Sequence, residues 1–135
     1  MLLAYSGNIT QKTRLEQDVE VAAAAGFRAL EISASKLDQY LQDWWHTSAA
    51  AQLQDLLARH RLKPVAVSSV EGFNFQGEHF DLVRRRCRTL AEQMKVLGCS
   101  HLVVVPGMAP PGSDPSEIRK ETARALRGLA NEVSP

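Results

Sequence analysis

Three junctions in the sequence share one layout: "AAGFRALEIS", "ARHRLKPVAVSS" and "KVLGCSHLVVVPG". In each, a helix-like stretch ends, a tight polar or glycine turn follows, and a short apolar strand begins. With the N-terminal "LLAYS" this makes four strands, near residues 2, 29, 65 and 101. Their spacing, roughly 27 to 36 residues, is that of one βα unit.

The stretches between the strands read as amphipathic helices. The first is expected over Thr13–Ala25, with Thr13 and Glu16 as a capping box and Gly26 as the stop. The second follows "WWHTSAAAQLQDLLARH", with Leu53, Leu56 and Leu57 on one face. The third carries Phe80, Val83, Cys87, Leu90, Met94 and Leu97 at helical spacing and ends at Gly98. The fourth opens with "DPSE": Asp114 caps, Pro115 takes the first helical position and Glu117 closes the box. Its inner face is expected to be Ile118, Thr122, Ala125, Leu126 and Leu129.

Strands such as "VAVSS" and "HLVVVPG" are continuously apolar, as befits a parallel sheet covered by helices. The fold class is therefore α/β, four consecutive βα units with parallel strands. A barrel and an open doubly wound sheet both satisfy it. A whole (β/α)₈ barrel takes about 250 residues, so four units are about half of one. The 135 residues are expected to form a single domain, 1–135.

Composition removes several function classes. Formal net charge is +1, so no global charge signal points to nucleic acid or an anionic membrane. No apolar run approaches the ~20 residues of a membrane span, and "MLLAYSGNIT" lacks the basic start of a signal peptide. Cys87 and Cys99 have neither metal-like nor redox spacing, which fits a reduced, cytoplasmic compartment. The run "RRRCR" reads as a solvated helix flank, because Cys87 takes the apolar seam. The first βα turn, "YSGNITQKT", lacks both G-x-G-x-x-G and G-x-x-x-x-G-K-[ST], which weakens a nucleotide-binding reading.

In barrels and doubly wound sheets alike, function gathers at the C-terminal ends of the strands. Tyr5, Ser6 and Asn8 follow the first strand there. Glu31, Ser33 and Ser35 lie on or after the second. Ser68, Ser69, Glu71 and Asn74 follow the third, and Pro106 and Gly107 the fourth. The substrate-binding candidates are Glu31, Ser68, Ser69, Glu71 and Asn74. Glu31 interrupts an apolar strand, where a carboxylate is costly unless paired. It either holds a substrate hydroxyl at the mouth or is tied structurally to an Arg, Ser or Tyr of a neighbouring strand. The serines and Glu71 either bond substrate or cap the loop before the third helix. No catalytic residue is assigned. No metal ligand is assigned either: Glu71 with His79 is the nearest pair, and no ligand spacing supports it. His60 and His101 fall at helix-end and strand-start positions, away from the functional side. Of Trp44 and Trp45, one is expected to pack and the other to cover the mouth or meet a partner.

"AGFRALEIS", "LLARHRLKPVAVSS" and "LAEQMKVLGCSHLVVVPG" together resemble the N-terminal half of the xylose isomerase-like TIM barrels. That group includes sugar-phosphate isomerases and epimerases, inosose dehydratase-like proteins and the endonuclease IV fold. The resemblance implies a sugar or sugar-phosphate substrate and a divalent metal (Mn, Mg, Co or Zn) in the complete barrel. Ligands and proton-moving carboxylates in such proteins come mostly from strands five to eight, so the chain alone is expected to be inactive. AP endonuclease-like members recruit a His in a pattern like V-x-H-P-G. Here the match is "VVVPG", with Val105 where that His would stand, which makes DNA repair the weakest reading. An alternative to the enzyme half is a half-barrel that self-associates as a homo-oligomer through exposed sheet edges.

Overall fold

The computed structural model describes residues 3–10, 12–43, 48–74 and 77–133. Its elements run β1 (Ala4–Ser6), α1 (Leu15–Ala24), β2 (Ala29–Ser33), α2 (Ala34–Asp43), α3 (Ala49–Arg59), β3 (Lys63–Glu71), α4 (Glu78–Leu97), β4 (Leu102–Val105) and α5 (Pro115–Val133). The four strands form one parallel sheet in sequence order, β1-β2-β3-β4. Ser6 lies opposite Glu31, and Glu31 opposite Ala66 after a register shift between Leu30 and Glu31. The chain divides into two compact units, Met1–Ser69 with Glu92–Val103, and Val70–Ala91 with Val104–Pro135.

Three helix-to-strand junctions use the same left-handed turn. Gly26 (φ 83°) and Gly98 (φ 68°) occupy it where the sequence predicted helix stops. After each, the next amide bonds back to the last turn: Phe27 N to Ala22 O at 3.0 Å, and Cys99 N to Met94 O at 2.9 Å. At the third junction Arg61 takes the position (φ 54°), and Leu62 N reaches Leu57 O at 2.9 Å.

Two helix boundaries differ from expectation. The segment between β2 and β3 holds two helices, not one. α2 starts directly after β2 and buries Ala34, Leu37 and Tyr40, three residues apart on one face. Ser35 is consequently in its first turn. The expectation for Trp44 and Trp45 lies outside the described residues. α1 begins at Leu15, not Thr13, and its start is closed by Gln17 Oε1 accepting from Arg14 N at 2.9 Å. The Thr13 hydroxyl instead donates to Asp18, a buried carboxylate that needs donors.

In the first unit, β2 is buried along its length apart from half-buried Glu31. Leu15 and Val19 of α1, Leu37 of α2, and Leu53 and Leu57 of α3 complete the apolar core with Leu30, Ile32 and Val67. In the second unit, Arg84 and Arg88 of α4 both bond Glu132, near the end of α5. Asp114 caps α5, accepting from Ser116 N at 2.7 Å. Leu126, expected on the inner face of α5, is instead 45 % exposed, while Leu129 is buried.

The hydrogen bonds from Arg84, then those from Arg88, hold the Glu132 carboxyl below its usual value of 4.5. Its contribution to stability is therefore complete above about pH 4.5 and is lost as pH falls through the lower folded value. We expect the loss of Tm between neutral and about pH 3 to be smaller in Glu132→Gln than in the parent. High salt should narrow the difference, because the pair is at the surface. Identical acid profiles would contradict the clamp.

Candidate functional site

Four polar side chains, from β1, β2, β3 and the β1–α1 loop, meet at the C-terminal end of β2. Glu31 is the centre. Its Oε1 accepts from Ser6 Oγ at 2.8 Å, from Ser68 Oγ at 2.6 Å and from Asn8 Nδ2 at 3.4 Å. Asn8 Nδ2 also donates to Ser68 Oγ at 2.5 Å. Parallel pairing explains the convergence: Ser6 lies opposite Glu31, and Ser68 opposite Ser33 one step of the pleat away. The register shift just before Glu31 is the kind of local irregularity that re-aims a side chain near a strand end. All three donors fall on one carboxylate oxygen, which fixes the carboxylate plane and leaves Oε2 as the oxygen on the other side.

Behind this cluster stands a second one that strand-end reasoning did not find. Asp18 and Lys36 are both buried, 1 % and 7 % exposed. Lys36 Nζ lies 2.5 Å from Asp18 Oδ2. Asp18 Oδ1 accepts from Thr10 Oγ1 at 2.7 Å and Thr13 Oγ1 at 2.6 Å. Lys36 donates to the same two hydroxyls at 3.1 and 2.9 Å. The signal was present in the sequence: Asp18 falls on the face of α1 defined by Leu15, Val19 and Ala22. A carboxylate in that stripe needs a buried cation.

Gly7 separates the two clusters. Its amide donates to Glu31 O at 2.9 Å. A Cβ at this position would stand 3.0 Å from Asp18 Oδ2 and 3.3 Å from Glu31 O. Neither oxygen is at the end of a loose side chain. Gly7→Ala is expected to cost about 1–3 kcal/mol, the usual range for forced overpacking, read as a shifted urea midpoint. An unchanged midpoint would contradict the close approach.

The remaining candidates are placed as follows. Ser68 joins Glu31 as described. Ser69 is the next residue of β3 and half-buried, and Glu71 is the exposed last residue of that strand. Asn74 spends its amide on the β4–α5 loop, accepting from Gly107 N at 2.5 Å and donating to Gly107 O at 3.3 Å. It is a clamp between two loops of the second unit. Ser33 Oγ and Ser35 Oγ share a hydrogen bond at 3.0 Å. Among the described residues no group of three or more His, Cys, Asp or Glu gathers as a metal site. With three donors already on Glu31 Oε1 and no ligand cluster beside it, the described residues do not by themselves fit a divalent metal.

Comparison with known proteins places this geometry in a family. An inosose isomerase of Bacillus velezensis is 27 % identical over 127 residues, 93 % of this chain and 44 % of that protein. The crystal structure of the IolI protein with a bound zinc atom superposes with a TM-score of 0.85 at 26 % identity, over 100 % of this chain and 48 % of that one. A D-psicose 3-epimerase of Clostridium cellulolyticum, solved with D-tagatose, shares the fold alone: TM-score 0.74 at 14 % identity, over 98 % of this chain and 48 % of that one. The chain thus spans about half the length of the relatives it matches. The family model for the xylose isomerase-like TIM barrel matches residues 19–134. The chain belongs to the xylose isomerase-like TIM barrel family, and its four βα units match half of such a barrel.

Proposed function

We propose that the chain forms the substrate-holding N-terminal half of a sugar or sugar-phosphate isomerase or epimerase. The observation that carries this is Glu31, fixed by donors from β1, β3 and the β1–α1 loop at the strand ends where this fold does its chemistry. On this reading Glu31 Oε2 accepts a substrate hydroxyl, while Ser68 and Asn8 fix the carboxylate's orientation. A carboxylate held by several strands suits a polyhydroxylated ligand, whose hydroxyls are donors at fixed spacing. Ser69, the next residue of β3, is assigned to substrate contact with them, and Glu71 is a substrate-contact candidate of the second unit. Asn74 acts indirectly, by holding the β4–α5 loop. The proton-moving carboxylates and the metal belong to the other half of a complete barrel. The relative named inosose isomerase supports the substrate class.

The test is turnover and binding by the purified chain. Supplied with Mn²⁺, Mg²⁺, Co²⁺ or Zn²⁺, it should not interconvert inososes or keto sugars, yet should bind them weakly. Metal-dependent turnover would overturn the division of labour.

A second reading is self-association. The outer strands β1 and β4 leave Val103 and Val105 of β4, and Leu3 beside β1, partly exposed, and such edges favour pairing with another copy. Light scattering decides it: a monomer at high concentration sets this reading aside.

A further inference from the structure

We propose that the buried Asp18–Lys36 pair is a positioning device for the candidate site, pinning the β1–α1 loop so that Asn8 stays on Ser68 and Glu31. This rests on the reading of Glu31 as the substrate-holding carboxylate. Stability alone is a poor explanation of the pair. Two apolar residues of similar volume often serve a core as well as a buried ion pair does, so the pair's value lies in what it fixes.

The geometry identifies what that is. Asp18 Oδ1 and Lys36 Nζ both bond Thr10 and Thr13. Thr10 and Thr13 belong to the loop between β1 and α1, and Asn8 lies two residues before Thr10. Lys36 is three residues past Ser33, the end of the strand that carries Glu31. The pair therefore ties the loop to both α1 and the β2 end. Gly7 closes the link, with its amide on the Glu31 carbonyl and its Cα packed toward Asp18. Asn8 is held from Gly7 on one side and from Thr10 on the other. Its side-chain bonds to Ser68, at 2.5 Å, and to Glu31, at 3.4 Å, need that constraint, because a free loop would lose them to water.

The experiment follows the Asn8 side-chain NH₂ by ¹⁵N NMR in the full chain. In the parent its protons should be shifted and protected. In Lys36→Met their exchange should rise about tenfold, toward that of a solvated amide. Leu53→Ala, a core change on α3, is the control for general destabilisation and should leave the Asn8 signal in place. If Lys36→Met does not fold, the uncharged pair Asp18→Asn with Lys36→Met takes its role, and the Asn8 signal should again be released. An unchanged Asn8 signal in either folded variant overturns the proposal. Equal release in Leu53→Ala overturns it as well, by showing only loss of stability. Inosose is then titrated into the parent and the variant. Weakened binding in the variant completes the support. Absence of any inosose response in the parent defeats the substrate reading alone, since the unliganded Asn8 signal has already decided the positioning role.

Discussion

Replacing Lys36 with methionine lowers the unfolding free energy by about 3–5 kcal/mol. The urea midpoint of the purified chain reads the loss. The magnitude follows from what remains. Asp18, 1 % exposed, keeps its two threonine hydroxyls but loses the cation at 2.5 Å. An uncompensated carboxylate in a dry site is far costlier than the missing packing of an ammonium head, which methionine largely replaces. Removing the partner charge as well, with Asp18→Asn on the Lys36→Met background, should recover most of the loss. The two effects are strongly non-additive because the groups share every partner. Additive losses would mean that the pair is not coupled and that Thr10 and Thr13 are held by other means.

Glu31→Gln carries the largest expected effect on function. The amide keeps an acceptor for Ser6 and Ser68 but presents a donor where the second carboxylate oxygen stood. A hydroxyl of the substrate then loses a bond to a charged acceptor, a difference of about 1.5–3 kcal/mol, or roughly 10- to 150-fold in affinity. The fold should tolerate the change, because Glu31 is only half-buried and the three donors can rearrange around a neutral acceptor. Weakened sugar binding with an unchanged urea midpoint is the expected pair of results. The reverse, a destabilised chain with unaltered binding, would make Glu31 a structural tie between strands.

Much of this was legible in residue patterns. The recurrence of helix, turn and apolar strand predicts the four parallel strands. Gly26 and Gly98 mark helix ends because glycine takes the positive φ of that turn without strain, whereas Arg61 closes the third junction with no such signal. Asp114-Pro115 marks the α5 start for equally local reasons. Glu31 was visible as a charge inside an apolar strand. Its partners Ser6 and Ser68 come from strands 25 and 37 residues away in sequence, so their meeting depends on register that local pattern does not encode. The extra helix α2 was hidden because the charged Lys36 falls among its buried positions. The Thr13 capping box failed for a tertiary reason: Asp18 competes for the hydroxyl and wins, being buried and charged. Asn74 sits at a strand end like any substrate contact, and only its bonds to Gly107 reveal a clamp.

The Glu31 cluster is the proposed meeting point of this half-barrel with a polyhydroxylated substrate. The most direct measurement is an inosose titration of the ¹⁵N-labelled chain. Saturable shifts centred on Gly7, the Asn8 side-chain amide and Ser68 are expected at about millimolar concentration, with their loss in Glu31→Gln. Shifts that leave these three residues untouched, or that persist in Glu31→Gln, would contradict that meeting point.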